Sequence, residues 1–341
     1  MPASRIALAL VVFVTAAPFS APLPAKMRGV CWEAGRKVGG EAFDPLKTLG
    51  VDWISETPFG WSASTSAPDV VLAAGGLHAF WGMWGETDDG LAETARLARA
   101  RGIKTLLKPH LWVRGGQWVG DIDMKSAEDW LRWFAAYEAF ILHYAALAER
   151  ETMDALAIGT ELPKASRRAE DWRRIIARVR QVFHGPITYC VNWHEAEDVA
   201  FWGDLDFIGV QAYYPLTPSA HPQPEEIRAA WEPVVARLGA LSKRTGKRIV
   251  FTEVGYRSLA GGLGEPWKWD TDGTVDLDLQ RDAYREMFAC VWDQPWFGGT
   301  FVWKWHPWLG STEPAVGRAQ RDFTPQGKPA LDAIRERYTQ K

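Results

Sequence analysis

Two glutamates stand where a single acid ends an apolar run. Glu161 closes Ala157-Ile158-Gly159-Thr160-Glu161-Leu162, and Glu253 closes Val250-Phe251-Thr252-Glu253-Val254-Gly255. Set across one cleft, such a pair suits cleavage of a glycosidic bond. That reaction needs one carboxyl group protonated to donate to the departing oxygen and another ionised beneath the anomeric carbon. Retaining catalysis sets the two groups about 5–5.5 Å apart and inverting catalysis roughly 6.5–9.5 Å, a gap that chain spacing does not give. Each acid alone also fits a plainer role, paired with an Arg or capping a helix. The chemistry therefore belongs to the pair and depends on what brings residues 161 and 253 together.

Tryptophan is the anomaly of composition. The chain carries 20 Trp beside 15 Phe and 8 Tyr, many flat apolar faces with a polar handle on each indole and phenol. Twelve of the 20 fall at or beyond the ends of expected strands: Trp32, Trp61, Trp81, Trp84, Trp112, Trp118, Trp193, Trp267, Trp269, Trp303, Trp305 and Trp308. Any one of them also fits simple loop packing. As a set they read as stacking platforms for pyranose rings, whose C–H faces lie on indoles while their hydroxyls meet a polar rim. Polar candidates at the same ends are His110, Arg114, Asn192, His194, Lys304 and His306, with His110 and Asn192 favoured as substrate contacts. The 7 His form no H-x-H or H-E-x-x-H, and a zinc site needs three or four converging ligands, so neither metal nor other cofactor is expected. His194-Glu195 with Glu197 and Asp198 reads as a solvated helix start, where acids favour the dipole.

What must position these groups is legible as alternation. Eight short β-branched or aromatic runs are Arg28–Trp32, Val51–Thr57, Ile103–Trp112, Met153–Gly159, Ile187–Trp193, Phe207–Tyr213, Arg248–Glu253 and Gly299–Trp305. Amphipathic stretches separate them: Leu91–Arg101, Asp129–Glu149, Asp171–Phe183, Pro224–Thr245 and Leu277–Trp292. In Asp129–Glu149 the positions Leu131, Phe134, Glu138, Ile141, Tyr144 and Ala148 follow a 3.6-residue period. Arg101-Gly102, Thr245-Gly246 and Gly185-Pro186 supply helix stops before strands. Eight strands with eight helices predict a single (β/α)8 TIM barrel, which builds its active site at the C-terminal strand ends. Strands four and seven face each other across that mouth. A doubly wound sheet is the competitor, but no G-x-G-x-x-G or G-x-x-x-x-G-K-[ST] follows a strand.

Composition narrows the classes further. Length leaves room for two domains or one large barrel, and no linker divides the 341 residues. With 47% hydrophobic and 24% charged residues the chain is globular rather than disordered. Net charge is −3 with no long Lys/Arg block, which argues against nucleic acid as a partner. Residues 1–25, with Arg5 and the apolar run Ile6–Ala17, read as a signal peptide too short to span a membrane, leaving 26–341 as an exported catalytic domain; an uncleaved anchor is the alternative. That domain is expected to act as a monomer, with no membrane partner after cleavage. Cys31, Cys190 and Cys290, an odd count in apolar stretches, read as free thiols.

Gly159-Thr160-Glu161, Gln211-Ala212-Tyr213-Tyr214, Thr252-Glu253-Val254-Gly255-Tyr256 and Trp303, in this order, resemble the motifs of a clan A glycoside hydrolase. The likeness is greatest to glycoside hydrolase family 113, whose characterised members include β-mannanases. The resemblance implies hydrolysis of a β-1,4-linked polysaccharide by double displacement, with β-mannan as the first choice. Glu161 would be the acid/base, Glu253 the nucleophile, Tyr213 its hydrogen-bond donor and Trp303 the floor under the sugar. Further expected substrate contacts are Trp32, His110, Trp112, Asn192, Trp193 and Trp305. Glucan, xylan or oligosaccharide substrates, and a barrel that binds sugar without turnover, are the alternatives. A structural envelope protein would leave the acids unexplained. The sequence departs from the clan at Thr160, where an Asn commonly contacts the sugar 2-hydroxyl; a Thr makes fewer bonds.

Overall fold

The computed structural model describes residues 26–72, 83–269, 272–310 and 313–340. Residues 1–25, read above as a signal peptide, and Trp81 lie outside them. Eight parallel strands close a barrel: β1 Met27–Trp32, β2 Trp53–Glu56, β3 Lys104–Leu107, β4 Ala155–Thr160, β5 Ile187–Asn192, β6 Ile208–Gln211, β7 Ile249–Val254 and β8 Phe297–Trp305. They neighbour one another in chain order and β8 returns to β1, the (β/α)8 arrangement expected from the alternation.

Period-two alternation divides the core in two. Met27, Cys31, Trp53, Leu106, Ala155, Ala157, Cys190, Phe207, Val250 and Phe301 fill the barrel interior. Val30, Ile54, Leu107, Leu156, Ile158, Val210, Phe251 and Val302 face outward onto the helices. Those helices are α1 Asp44–Thr48, α2 Asp88–Arg99, α3 Ala127–Arg150, α4 Ala169–Arg180, α5 Pro224–Thr245, α6 Leu277–Val291 and α7 Ala330–Thr339. Ser126 caps α3 by accepting from Asp129 N, and Gly246, at φ 69°, ends α5 in the left-handed conformation.

Three expectations need correction. The run Ile103–Trp112 is two strands, not one. Leu107 ends the barrel segment, Pro109 lacks the N–H a ladder requires, and His110–Val113 pairs instead with Phe59–Ser62 in a small sheet above the mouth. Between β5 and β6 the described residues form no α-helix. Residues His194–Asp198 make turns, and the only helical piece is the 3-10 turn Trp202–Asp204. Aromatic side chains cover the barrel there: Phe201 stacks on Trp172 at 5.6 Å, and Trp202 Nε1 donates to the Ala196 carbonyl. On α3 the buried face is Trp130, Trp133, Phe134, Tyr137, Ile141 and Tyr144, while Leu131 points to solvent.

Candidate active site

The C-terminal strand ends open onto a cavity of about 530 Å³ walled by aromatic and charged side chains. Both acids line it. Glu253 sits on β7, its carboxyl almost fully buried. The backbone fixes it from the side, since Ala212 N donates to the Glu253 carbonyl at 2.7 Å. Glu161 is the residue just past β4, and it takes φ 54°, a left-handed conformation that costs a non-glycine residue on the order of 1–3 kcal/mol. Two bonds hold that turn: Glu161 N to the Cys190 carbonyl at 2.9 Å, and Leu162 N to Tyr189 Oη at 3.0 Å. The departure from strand geometry ends β4 and presents the carboxyl to the cavity.

The two carboxyl groups have opposite surroundings. Tyr213 Oη donates to Glu253 Oε2 at 2.9 Å. Lys108, fully buried one residue beyond β3, forms an ion pair with Glu253 Oε1 and also donates to the Thr252 carbonyl at 3.2 Å. Burial alone would raise the Glu253 pKa, but the Lys108 charge and hydrogen bonds outweigh it and hold the carboxyl below its ordinary range. Glu161 makes no ion pair among the described residues. Burial, reinforced by the negative charge of Glu253, pushes it up to about 8. One acid is thus kept ionised and the other protonated near neutrality, within reach of each other's field.

His110 Nε2 lies 3.7 Å from Glu253 Oε1, buried and without a hydrogen bond. Burial and the Lys108 charge push its pKa down to about 3, so the ring is neutral at any ordinary working pH and offers a hydrogen bond rather than a charge. Thr160 is buried, and its hydroxyl donates to the Pro109 carbonyl at 3.3 Å instead of facing the cavity.

Of the residues expected from the sequence, Glu161, Glu253, Trp32, His110, Trp112 and Trp303 share this cavity, with Trp118, Trp269 and Lys304 beside them. Tyr213 acts on it through Glu253. Asn192 is buried at the end of β5 beside Glu195 and does not line the cavity, and Trp193 stands outside it, stacked on Trp267 at 6.0 Å. Trp305 is a correction. Strict alternation would put it on the same side as Trp303, but β8 carries an extra residue here: Val30 pairs with Val302, yet Trp32 pairs with Trp305. The bulge flips parity, and Trp305 is buried in the outer core. Arg114 and His194 do not line the cavity either, while His306 bridges Glu33, a lining residue, and Asp322.

Sequence reasoning missed Lys108, Glu33 and Glu86. Lys108 was detectable as a cation at the end of an apolar strand, next to Pro109. Glu33 pairs with Lys304, whose ammonium lies 5.5 Å from the Trp269 ring centre. Glu86, on a 3-10 turn, is pushed up to about 7 by burial. Neither follows a pattern that chain spacing displays.

The profile of Glycoside Hydrolase Family 113 matches residues 40–328. The chain belongs to that family. It is a glycoside hydrolase, and its substrate is a polysaccharide or oligosaccharide. Among solved structures, a family 113 β-1,4-mannanase determined as a complex is 26% identical, with a TM-score of 0.80 over 93% of this chain and 100% of that one. A family 113 β-mannanase from Alicyclobacillus acidocaldarius is 28% identical, with a TM-score of 0.79 over 93% and 98%. A β-glucuronidase from Ruminococcus gnavus, 14% identical with a TM-score of 0.59 over 92% of this chain and 50% of that one, shares the fold alone. No curated protein matches the sequence.

Proposed function

We propose that this family 113 hydrolase cleaves β-1,4-linked mannan with retention of configuration, Glu253 attacking the anomeric carbon and Glu161 serving as acid and then base. The observation that carries this reading is the unequal environment of the two acids. Glu253 takes a hydrogen bond from Tyr213 and an ion pair from Lys108, which suits an ionised nucleophile. Glu161, held up to about 8, carries the proton that the leaving oxygen needs. Once Glu253 forms the glycosyl ester its charge is gone, the Glu161 pKa falls, and Glu161 can take a proton from water.

The mannan assignment draws on the solved relatives, two of which carry the name β-1,4-mannanase or β-mannanase. The aromatic walls suit pyranose faces, and Trp303, which lines the cavity with its ring centre 5.7 Å from the Lys108 ammonium, is the floor for the sugar under attack in this reading. With Thr160 bonded to Pro109, the neutral and unpaired His110 Nε2 is the group best suited to meet the hydroxyl beside the anomeric carbon. The charged and apolar segments of the leader support export of the enzyme.

The test is a panel of β-linked polysaccharides with product sizing and NMR of the newly formed anomer. β-Mannan turnover with retained configuration is expected, and turnover is expected to vanish in Glu253→Ala while sugar binding persists. An inverted product refutes the double displacement, and turnover of β-glucan or xylan in place of mannan refutes the substrate.

A further inference from the structure

A buried lysine in a barrel core demands a reason, because removing an ammonium from water costs several kcal/mol unless an anion faces it. Lys108 has no solvent exposure, and the anion it faces is Glu253. Among the described residues its surroundings also include the Cys31 and Cys190 thiols inside the barrel, the His110 ring, the Thr252 carbonyl and the Trp303 ring, whose centre is 5.7 Å away. Burial would lower the lysine pKa, yet Glu253 more than restores it, so the ammonium stays charged. One cation therefore touches one of the two facing acids and only influences the other from a distance.

We propose that Lys108 is the positioning residue that decides which carboxyl group attacks and which donates. This inference rests on the two-carboxylate reading above and deepens it. Bonded to Glu253 Oε1 while Tyr213 holds Oε2, Lys108 fixes the carboxylate plane and makes Glu253 the acid that ionises first. Lys108 does not touch substrate in this role.

Among the described residues the other groups facing Glu253 are few. Tyr213 and Gln211 come from the end of β6, His110 from beyond β3, Glu161 from β4, and Cys31 and Cys190 from β1 and β5. His110 is neutral, burial pushes both thiols up to about 12 and 11, and Tyr213 stays protonated. Among the described residues, Lys108 is thus the one cation facing Glu253. Without it Glu253 is a desolvated carboxylate beside Glu161, and two such acids share a proton as a coupled pair whose ionisations both move to higher pH.

The experiment is the pH profile of kcat/KM on mannan for Lys108→Met and Lys108→Arg in the full-length enzyme. Lys108→Met is expected to shift both limbs of the profile to higher pH and to reduce kcat/KM on the acid side about a hundredfold. Lys108→Arg, which keeps the charge, is expected to leave both limbs where the parent enzyme has them. A uniform drop in kcat/KM with unmoved limbs in Lys108→Met overturns the proposal, since packing alone would act in that way. Should Lys108→Met fail to fold, folding of Lys108→Met combined with Glu253→Gln is followed by circular dichroism. Removing the stranded carboxylate is expected to restore folding, and no recovery overturns the proposal. Failure of the underlying reading shows separately, as turnover that survives in Glu253→Ala.

Discussion

Glu161→Gln is predicted to make the protein more stable as it makes the enzyme inactive, and the gain depends on pH. In the folded chain Glu161 titrates at about 8 against an ordinary 4.5, raised by burial and then by the Glu253 charge. Between those two values the folded state binds a proton that the unfolded state has released, so stability falls as pH rises. Each pH unit in that window costs about 1.4 kcal/mol, so the penalty at pH 7 is on the order of 3 kcal/mol. A permanently neutral amide of the same shape does not incur it. Glu161→Gln should therefore match the parent at pH 4.5 and gain progressively until about pH 8, where the difference levels off. Urea unfolding at pH 4.5, 7 and 8.5 measures this directly, with kcat/KM determined on the same samples. A difference in stability that stays constant across the three pH values would refute the assignment of a raised Glu161 pKa. A loss of stability that grows with pH would reverse its sign.

On the proposed mechanism activity should respond to the same group: kcat/KM on mannan is expected to fall as pH rises through about 8, where Glu161 would lose the proton it is proposed to give the leaving oxygen, and a profile flat to pH 10 would contradict this. Tyr213→Phe removes the 2.9 Å bond to Glu253 and should lower kcat about ten- to a hundredfold while moving the acid limb to higher pH, because the ionised form loses a donor. Trp112→Ala, at a residue 48% exposed on the cavity wall, should raise KM about fivefold and leave the melting temperature nearly unchanged. Trp305→Ala should do the opposite: calorimetry is expected to show a loss of about 3–5 kcal/mol from an outer-core void, with KM little altered in whatever enzyme remains folded.

The amino-acid sequence by itself determined the barrel and the two acids at its mouth. Strand periodicity, helix-terminating glycines such as Gly246 and the apolar runs before Glu161 and Glu253 are local properties, written in residues adjacent in the chain. The tertiary structure decided what local pattern does not encode. A single extra residue in the pairing of β8 with β1 sent Trp305 away from Trp303, because side-chain direction depends on register between segments more than 250 residues apart. Packing also chose the buried face of α3, leaving Leu131 in solvent although it fits the period. Above all, Lys108 and Glu253 are 145 residues apart in sequence and adjacent in the barrel. Charge acts through space, so the difference between the two acids arose only when the barrel closed and put one ammonium against one carboxylate.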